Sequence, residues 1–417
     1  MDAHFDDAER QDPEARERAL FSRLPAYLAR AKSAAPGLAE WLGDVDTEPI
    51  TDRAALRRLP VLRKHELMEM QAANPPFAGF ADPSKLGGRR VFMSPGPIFE
   101  PEDDRPDPGQ AARAFFAAGA RPGDVVHNCF AYHMTPGGFI LDAGARALGC
   151  AVFPAGVGNT DMQVDAAAAI RPKLYAGTPD FLKTILDRAA ERGVDLSSIT
   201  HGLVSGGALF PSMRQDYRER GVSVFQCYAT AEFGVIAYET SDADGNPNPG
   251  MVLNEDLIVE IVRPGTGDPV DEGEVGELVV TGFSSTYPLV RVGTGDLTAA
   301  LPGLSPCGRT NGRIRGWMGR ADQRTKVKGM FVDPRQVAEV MRRHPEISRS
   351  RLVVAREGAG DVMTLRVEPA NGAVLDIAAI KTSLRDATKL GGGVEPVEPG
   401  ALPNDGKVIS DERDYQK

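Results

Sequence analysis

Residues that could bind a charged nucleotide are concentrated in a few short segments of this chain. VFMSPGPIFEP, at residues 91–101, places a Ser-Pro-Gly-Pro turn after a strand-like run, which is the outline of a phosphate-binding loop. Such loops hold phosphate with backbone N–H groups and hydroxyls, yet Pro97 has no N–H to offer. No lysine follows, and the segment continues with an acidic run: Glu100, Glu102, Asp103 and Asp104. A working phosphate cradle, a repurposed one and an ordinary loop all remain open from this segment alone.

Further candidate residues lie where strand-like runs end. In VSGGALF, Gly206 and Gly207 would let a flat ligand approach the backbone, although a helix-packing turn has the same pattern. QCYATAE ends the next run with Tyr228 and Glu232, and α/β sheets bind ligands at the carboxyl ends of their strands. The alternative there is a buried tyrosine and a solvated glutamate. Asp296 follows a tight turn, where aspartates usually bond their own backbone.

The composition indicates what kind of protein must position these groups. With 417 residues, 42% hydrophobic and 25% charged, the chain is typical of globular proteins with more than one domain. A net charge of −10 and a pI of about 5.3 argue against nucleic acid or an anionic membrane as partner. The first residues have neither the layout of a signal peptide nor a membrane-spanning run. The four cysteines form no CxxC pair, so we expect a reducing, cytoplasmic location.

The pattern of apolar residues predicts the elements that carry these segments. Helical spacing marks residues 14–45, and LRRLPVLRKHELMEM is typical of two helices separated by a proline. From about residue 108, apolar strands alternate with helices, which predicts a mostly parallel sheet covered by helices on both faces. After residue 250, LIVEIV and GELVVTGF indicate an antiparallel β-subdomain. Beyond residue 320, helix, hairpin and helix patterns predict a small α+β domain.

Taken in order, these segments resemble the adenylate-forming superfamily, and within it the phenylacetate–CoA ligase family. The likeness begins at RRLPVLRKHEL and HNCFAYHMTPGG and passes through SGGALF, QCYATAE and YPLVRVGTGDL. It ends at the hinge-like GRADQRTKVKG and the terminal GALPNDGKVISD. The resemblance implies a large N-terminal adenylation domain over residues 1–320, with the β-subdomain at about 250–318. A small mobile domain over residues 321–417 would follow, with its hinge near Asp322.

The resemblance also implies a reaction in two halves, with ATP, CoA and Mg²⁺ as cofactors and a homodimer as the expected assembly. A carboxylic acid attacks ATP to give acyl-AMP and pyrophosphate, and the CoA thiol then attacks the acyl-AMP. Lys407 matches the lysine that bridges the acid and the α-phosphate, and Glu232 matches the catalytic carboxylate that holds magnesium. Asp296 matches the acceptor of the ribose hydroxyls, Arg320 a second ribose contact, and Gly329 the position where pantetheine passes the backbone.

The remaining nucleotide-binding positions are implied by the same matches. Tyr228 is expected to stack on adenine, and Gln226 is placed to bond the edge of the base. The full set of these positions is Ser94, Gly96, Gly206, Gly207, Ala208, Gln226, Cys227, Tyr228 and Ala229.

The acyl pocket is expected at HNCFAYHMTPGG, together with Gly207. Phe130 and Tyr132 keep an aromatic wall, whereas His133 and Thr135 stand where glycine and phenylalanine are common in the family. Polar groups in an apolar pocket need a partner. We therefore expect an aromatic acid, of the phenylacetate or benzoate type, that bears a polar ring group. The alternative is that His133 bonds the backbone and only packs.

The phosphate loop is the main departure from the family pattern. Ser94, Gly96 and Pro101 of the pattern are kept. The positions where the family has Ser, Thr, Thr and Gly hold instead Pro95, Pro97, Ile98 and Phe99. A hydrogen bond to a charged group contributes about 1.5–3 kcal/mol, so losing two or three would weaken the hold on the β- and γ-phosphates. The acidic run would repel phosphate if it faced the site, but such runs more often form a solvated, screened face.

Smaller departures also bear on function. In QCYATAE, Ala229 and Ala231 replace Gly and Thr or Ser, which removes a hydroxyl expected at the α-phosphate. Ser305 stands where relatives carry the first cysteine of a pair, so Cys307 is not expected to hold zinc.

Three functions therefore remain open. The first is an acid–CoA ligase working through acyl-AMP, favoured by the presence of Glu232, Asp296, Arg320 and Lys407. The second is an adenylating enzyme that passes the acyl group to an amine or a carrier protein. The third is a non-ligase homologue that binds AMP, CoA or an acyl thioester, favoured by the altered loop.

Overall fold

The computed structural model describes residues 4–207, 209–321, 323, 325–327, 330–357, 360–370 and 372–413. Ala208, Asp322 and Gly329, each with a predicted role, lie outside these residues. The chain divides into two compact units, each described below by itself. The first consists of Met1–Val259, Val280–Val292 and Leu301–Gly316, and the second of Glu260–Val279, Gly293–Ala300 and Trp317–Lys417.

The helices and strands follow the predicted alternation along the chain. The helices are α1 (Pro13–Ala34), α2 (Pro36–Leu42), α3 (Arg53–Leu56), α4 (Lys64–Ala73), α5 (Ala112–Ala117), α6 (Gly137–Ala147), α7 (Thr160–Ile170), α8 (Pro179–Arg192), α9 (Pro211–Glu219), α10 (Pro334–Arg343) and α11 (Ile377–Thr388). The strands up to residue 253 are β1 (Leu62–Arg63), β2 (Val91–Ser94), β3 (Ile98–Pro101), β4 (Val125–Asn128), β5 (Ala151–Phe153), β6 (Leu174–Gly177), β7 (His201–Val204), β8 (Ser223–Thr230), β9 (Gly234–Tyr238) and β10 (Met251–Leu253). The later strands are β11 (Ile258–Val262), β12 (Val275–Thr281), β13 (Val292–Leu301), β14 (Arg313–Ile314), β15 (Thr325–Val327), β16 (Met330–Val332), β17 (Ile347–Glu357), β18 (Gly360–Pro369), β19 (Gly393–Pro396) and β20 (Ile409–Asp411).

A parallel sheet forms the centre of the first unit, as predicted. Its parallel strands run in the order β5, β4, β6, β7, β8, and β9 then pairs antiparallel with β8 and with β10. Successive strand residues point to opposite faces. Leu174 and Leu203 accordingly join the hydrophobic cluster with α5 and α6, whereas Tyr175 and Val204 join the cluster with α7, α8 and α9. Two buried layers therefore fix the strand ends at which the predicted ligand residues lie.

A separate hairpin of β2 and β3 also belongs to the first unit. The two strands pair antiparallel, with Val91 opposite Pro101 and Ser94 opposite Ile98. This is the segment that the sequence indicated as a phosphate loop.

The second unit contains the predicted α+β pattern. β17 and β18 form a long antiparallel hairpin, extended by β20 alongside β17 and β19 alongside β18, both parallel. α10 and α11 contribute Val337, Val340, Ile380 and Leu384 to one core with the strands. β12 lies between β11 and β13. None of the helices in the described part of the chain is long and apolar enough to cross a bilayer.

Candidate functional site

The segment predicted to bind phosphate is the turn and strands of a closed hairpin. Residues 95–97 form the turn between β2 and β3. The Ser94 hydroxyl donates a hydrogen bond to Glu100 Oε1 at 2.8 Å, across the hairpin. Ile98 is buried. The Ser94 hydroxyl is thus bonded within the hairpin, and the Ile98 side chain is packed in the protein interior.

The hairpin is held on both sides by other parts of the first unit. The Phe99 N–H donates to Gln71 Oε1 at 2.8 Å, and Gln71 Nε2 donates back to the Phe99 carbonyl at 2.8 Å. The same amide nitrogen lies 3.1 Å from the Tyr287 hydroxyl. On the other strand, the Met93 N–H donates to the Met134 carbonyl at 2.8 Å, inside the predicted acyl-pocket segment. The predicted phosphate loop is therefore a fixed hairpin connected to that pocket segment.

The expectation that the acidic run forms a solvated face is wrong for Glu100. Strand alternation puts Glu100 on the same side of β3 as Ile98, and it is only 2% exposed. Its Oε2 has no hydrogen-bond partner among the described residues. Burial, and then the charge of Glu232, raise the pKa of Glu100 to about 8. Farther along the run, Asp104 is paired with Lys85 at 3.0 Å.

Glu232, the predicted magnesium ligand, lies in the turn between β8 and β9. Its side chain is 1% exposed, and the ammonium of Lys64 lies 2.9 Å from Oε1 and 3.1 Å from Oε2. Lys64 is the first residue of α4 and belongs to RRLPVLRKHEL. The family resemblance of that segment implied no role for this residue. The two residues are 168 positions apart, so only the fold reveals the pair.

A close approach of two glycines positions the turn that carries Glu232. Gly234 has φ +69°, and a Cβ there would lie 2.3 Å from the backbone of Gly109. The Val235 N–H donates to the Gly109 carbonyl at 2.7 Å. A side chain at position 234 would push this turn off the segment that follows the acidic run.

A cavity of about 60 Å³ separates the hairpin from this turn, and its lining includes Glu100, Glu232, Phe92, Phe139 and Tyr287. Mg²⁺ prefers oxygen ligands and usually takes few protein carboxylates along with water and phosphate. Glu232 offers such an ion a buried carboxylate, and the Lys64 ammonium, 2.9 Å from Oε1 and 3.1 Å from Oε2, competes with the ion for it.

The predicted adenine-binding residues lie on neighbouring parallel strands. Gly206 has φ +70° in the loop after β7, and Gln226 Nε2 on β8 donates to the Gly207 carbonyl at 3.4 Å. Tyr228 and Ala229 are half-buried at the end of β8. Cys227, by contrast, is part of the hydrophobic core, where burial raises its pKa to about 12.

The predicted acyl wall is partly aromatic and partly polar. Phe130 and Tyr132 are half-buried, and the ring of Tyr132 meets Phe139 edge-on at 5.1 Å. The Tyr132 hydroxyl accepts from Asn128 Nδ2 at 2.7 Å and donates to Asp142 at 3.2 Å. His133, by contrast, is exposed, and Thr135 is half-buried. The polar group that the structure orders along this wall is therefore the Tyr132 hydroxyl.

The second unit brings the two predicted ribose-binding residues together. Arg320 Nη1 donates to Asp296 Oδ1 at 2.9 Å. Trp317 Nε1 donates to the same oxygen at 3.0 Å, and its residue is 55% exposed. The Leu297 N–H donates to the Gly319 carbonyl at 2.9 Å, and the Met318 N–H donates to the Leu297 carbonyl at 2.8 Å, which fixes this arrangement. The sequence predicts no role for Trp317, because no local pattern indicates that its indole N–H bonds a carboxylate.

A glutamine connects this pair to the predicted catalytic lysine within the same unit. Gln323 Nε2 donates to the carbonyls of Gly406, at 2.9 Å, and Arg320, at 3.3 Å. Gln323 Oε1 accepts from the Ile409 N–H at 2.7 Å. Lys407 lies between these anchored residues and is exposed. Gln323 was also missed, since its partners Gly406 and Ile409 are more than 80 positions away in sequence.

Residues 109–286 match the model of a family described as AMP-binding enzyme. Over 361 residues the chain is 32% identical to a phenylacetate-coenzyme A ligase of Thermus thermophilus, covering 83% of this chain and 80% of that protein. A phenylacetate-coenzyme A ligase of Aromatoleum evansii is 29% identical over 338 residues, covering 78% and 74% of the two chains.

A solved structure is similar in fold. It is an open conformation of 2-hydroxyisobutyryl-CoA ligase in complex with 2-HIB-AMP and CoA, with a TM-score of 0.72 and 23% identity. The match covers 96% of this chain and 92% of that one.

Proposed function

Because this chain belongs to the phenylacetate–coenzyme A ligase family of adenylate-forming enzymes, we propose that its substrate is an aromatic carboxylic acid with a polar ring group. The protein is an acid–thiol ligase that activates its acid with ATP as acyl-AMP and joins it to CoA. The observation that carries the substrate proposal is the wall of Phe130, Tyr132 and Phe139. Its Tyr132 hydroxyl donates to Asp142 and accepts from Asn128, which leaves one acceptor lone pair for a ring substituent that donates a hydrogen bond.

Adenylation joins two anions, so the enzyme must mainly neutralise charge and hold its reactants in place. We assign the bridging charge to Lys407, whose exposed ammonium on a flexible stem suits a mobile contact. Glu232 is the residue that would hold Mg²⁺, and the ion, when bound, supplies positive charge to the phosphates. The ammonium of Lys64 beside Glu232 adds positive charge where the altered loop has lost hydroxyls.

The nucleoside end of ATP is assigned to the residues that match the family's ribose and adenine contacts. Asp296 would accept the ribose hydroxyls, with Arg320 and Trp317 holding its carboxylate in place. Tyr228 would stack on adenine. The same proposal includes three further features. A small domain over residues 321–417 swings at Asp322, pantetheine passes the backbone at Gly329, and the protein forms a homodimer.

Pyrophosphate release tests the proposal. The purified protein would be given ATP, Mg²⁺ and hydroxy-, amino- and unsubstituted aryl acids, with and without CoA. We expect release that depends on the acid, thioester formation with CoA, and a preference for polar-substituted rings. Preference for the unsubstituted ring would contradict the substrate class. Transfer to an amine or carrier protein instead of CoA, or nucleotide binding without release, would favour the other two functions.

A further inference from the structure

Two buried carboxylates, on Glu100 and Glu232, face the same cavity between the hairpin and the turn after β8. Glu100 is 2% exposed, and the Glu232 side chain is 1% exposed. Glu100 Oε2 has no hydrogen-bond partner among the described residues, whereas the Lys64 ammonium lies 2.9 Å from Glu232 Oε1. A buried carboxylate oxygen without a donor is costly, so this arrangement calls for a positively charged or proton-donating partner.

The cations around the cavity do not balance its acids. Lys64 lies against Glu232, and its single charge offsets one carboxylate. Arg105 also lines the cavity but is already paired with Asp103 at 3.5 Å and Asp256 at 3.1 Å. Among the described lining residues, Glu100 is therefore left without a cation of its own.

We propose that Glu100 is a second protein ligand of a divalent cation held at Glu232. Hard cations such as Mg²⁺ and Mn²⁺ take carboxylate oxygens, and a cavity of about 60 Å³ has room for an ion and a water molecule. The inference rests on the proposed function, in which Glu232 carries the metal, and adds a ligand from the altered loop.

The hairpin is built to present Glu100 to such an ion. Ser94 donates to Oε1, which orients the carboxylate and leaves Oε2 for the cavity. The paired bonds of Gln71 to Phe99 hold the strand at the residue before it. The segment that lost hydroxyl donors to phosphate has thus acquired a carboxylate beside the metal residue. It would contribute to ATP binding through the cation instead of by direct contact.

Titration of the nucleotide-free protein with Mn²⁺, with binding measured by electron paramagnetic resonance, tests the proposal directly. We expect one saturable site from which Mg²⁺ displaces Mn²⁺, and an affinity at least about tenfold weaker in Glu100→Gln and in Glu232→Gln. Asp104→Asn is the matched control, because Asp104 is already paired with Lys85 and bonded to Ser285. Lys64→Met should bind Mn²⁺ more tightly, since it removes the competing ammonium, and a gain of affinity cannot result from misfolding.

Equal affinity in Glu100→Gln and wild type, the absence of a saturable Mn²⁺ site in the wild type, or weaker binding by Lys64→Met would each overturn the proposal. Circular dichroism of each variant establishes that it is folded. Failure of the adenylation proposal is distinguishable, because it would appear as missing acid-dependent pyrophosphate release whether or not Mn²⁺ binds.

Discussion

The hairpin of the first unit and the Asp296–Lys407 region of the second use their polar groups in opposite ways. In the hairpin, Ser94 bonds Glu100, and Glu100 is buried. In the second unit, Arg320 is exposed and paired with Asp296, and Lys407 is exposed between Gly406 and Ile409, which Gln323 bonds. The region that matches the family pattern thus places its basic side chains at the surface. The region that departs from it has turned its side chains inward, so substitutions in the second unit should impair catalysis more.

The largest effect is expected for Lys407→Ala. Removing a charge that stabilises the transition state should slow acid-dependent pyrophosphate release by about 10²–10³-fold. Thioester formation from supplied acyl-AMP should be much less affected. Lys381→Ala, on the exposed face of α11, is the matched control. Equal loss of both half-reactions would contradict the assigned role and remove the contrast between the regions.

A smaller effect is expected for Gln323→Ala, which takes the partner from Gly406 and Ile409 without touching Lys407. Because misplaced groups lose catalytic power steeply, kcat for adenylation should fall about tenfold while the KM for ATP changes little. Gln323→Glu keeps the acceptor for the N–H of Ile409 and should recover part of the rate. Gln215→Ala, on the surface of α9, serves as control. A rise in KM with unchanged kcat would show that Gln323 does not position the lysine.

The double variant Pro97→Thr with Ile98→Thr restores hydroxyls to the hairpin and tests whether this segment binds phosphate. Because Ile98 is buried, we expect the KM for ATP to change by less than about twofold. The thermal midpoint should fall by several degrees, because Ile98→Thr removes two buried carbon atoms and buries a hydroxyl, each at a cost of about 1–3 kcal/mol. Pro97→Thr alone separates the turn from the core. A large fall in KM would instead show that this segment still cradles phosphate.

The smallest effect concerns pH and the buried sheet of the first unit. Burial lowers the pKa of His127 below 6.5, although its bond to Gln163 acts the other way. The folded imidazole therefore stays neutral, while the unfolded chain takes up a proton below pH 6.5. Stability is fully present above that pH and is lost as the pH falls, by at most about 1.4 kcal/mol per pH unit. The thermal midpoint of His127→Gln should fall less between pH 7 and 5.5, and an identical slope would contradict this.

The fold was predictable because its signals are local. Apolar runs such as those of β6 and β7 identify buried parallel strands, and the structure confirms them. The hairpin was harder, since Ser-Pro-Gly-Pro suits a tight turn and a loop equally. The burial of Glu100 depends on strand alternation that becomes visible only once β3 is known to pair. The partners Lys64 and Gln323 lie far along the chain from the groups they hold, so no local pattern could reveal them.

The exposed indole of Trp317 gives the protein an intrinsic fluorescent probe beside the assigned ribose site. The chain has two tryptophans, and the other, Trp41, belongs to the first unit. A ribose that engages Asp296 would change the surroundings of the indole that bonds the same carboxylate. Intrinsic emission should therefore report nucleotide binding without any attached dye. Replacing Trp41 by phenylalanine would leave a single emitter beside the assigned ribose site, and stopped-flow recordings would then time the arrival and departure of ATP in each turnover.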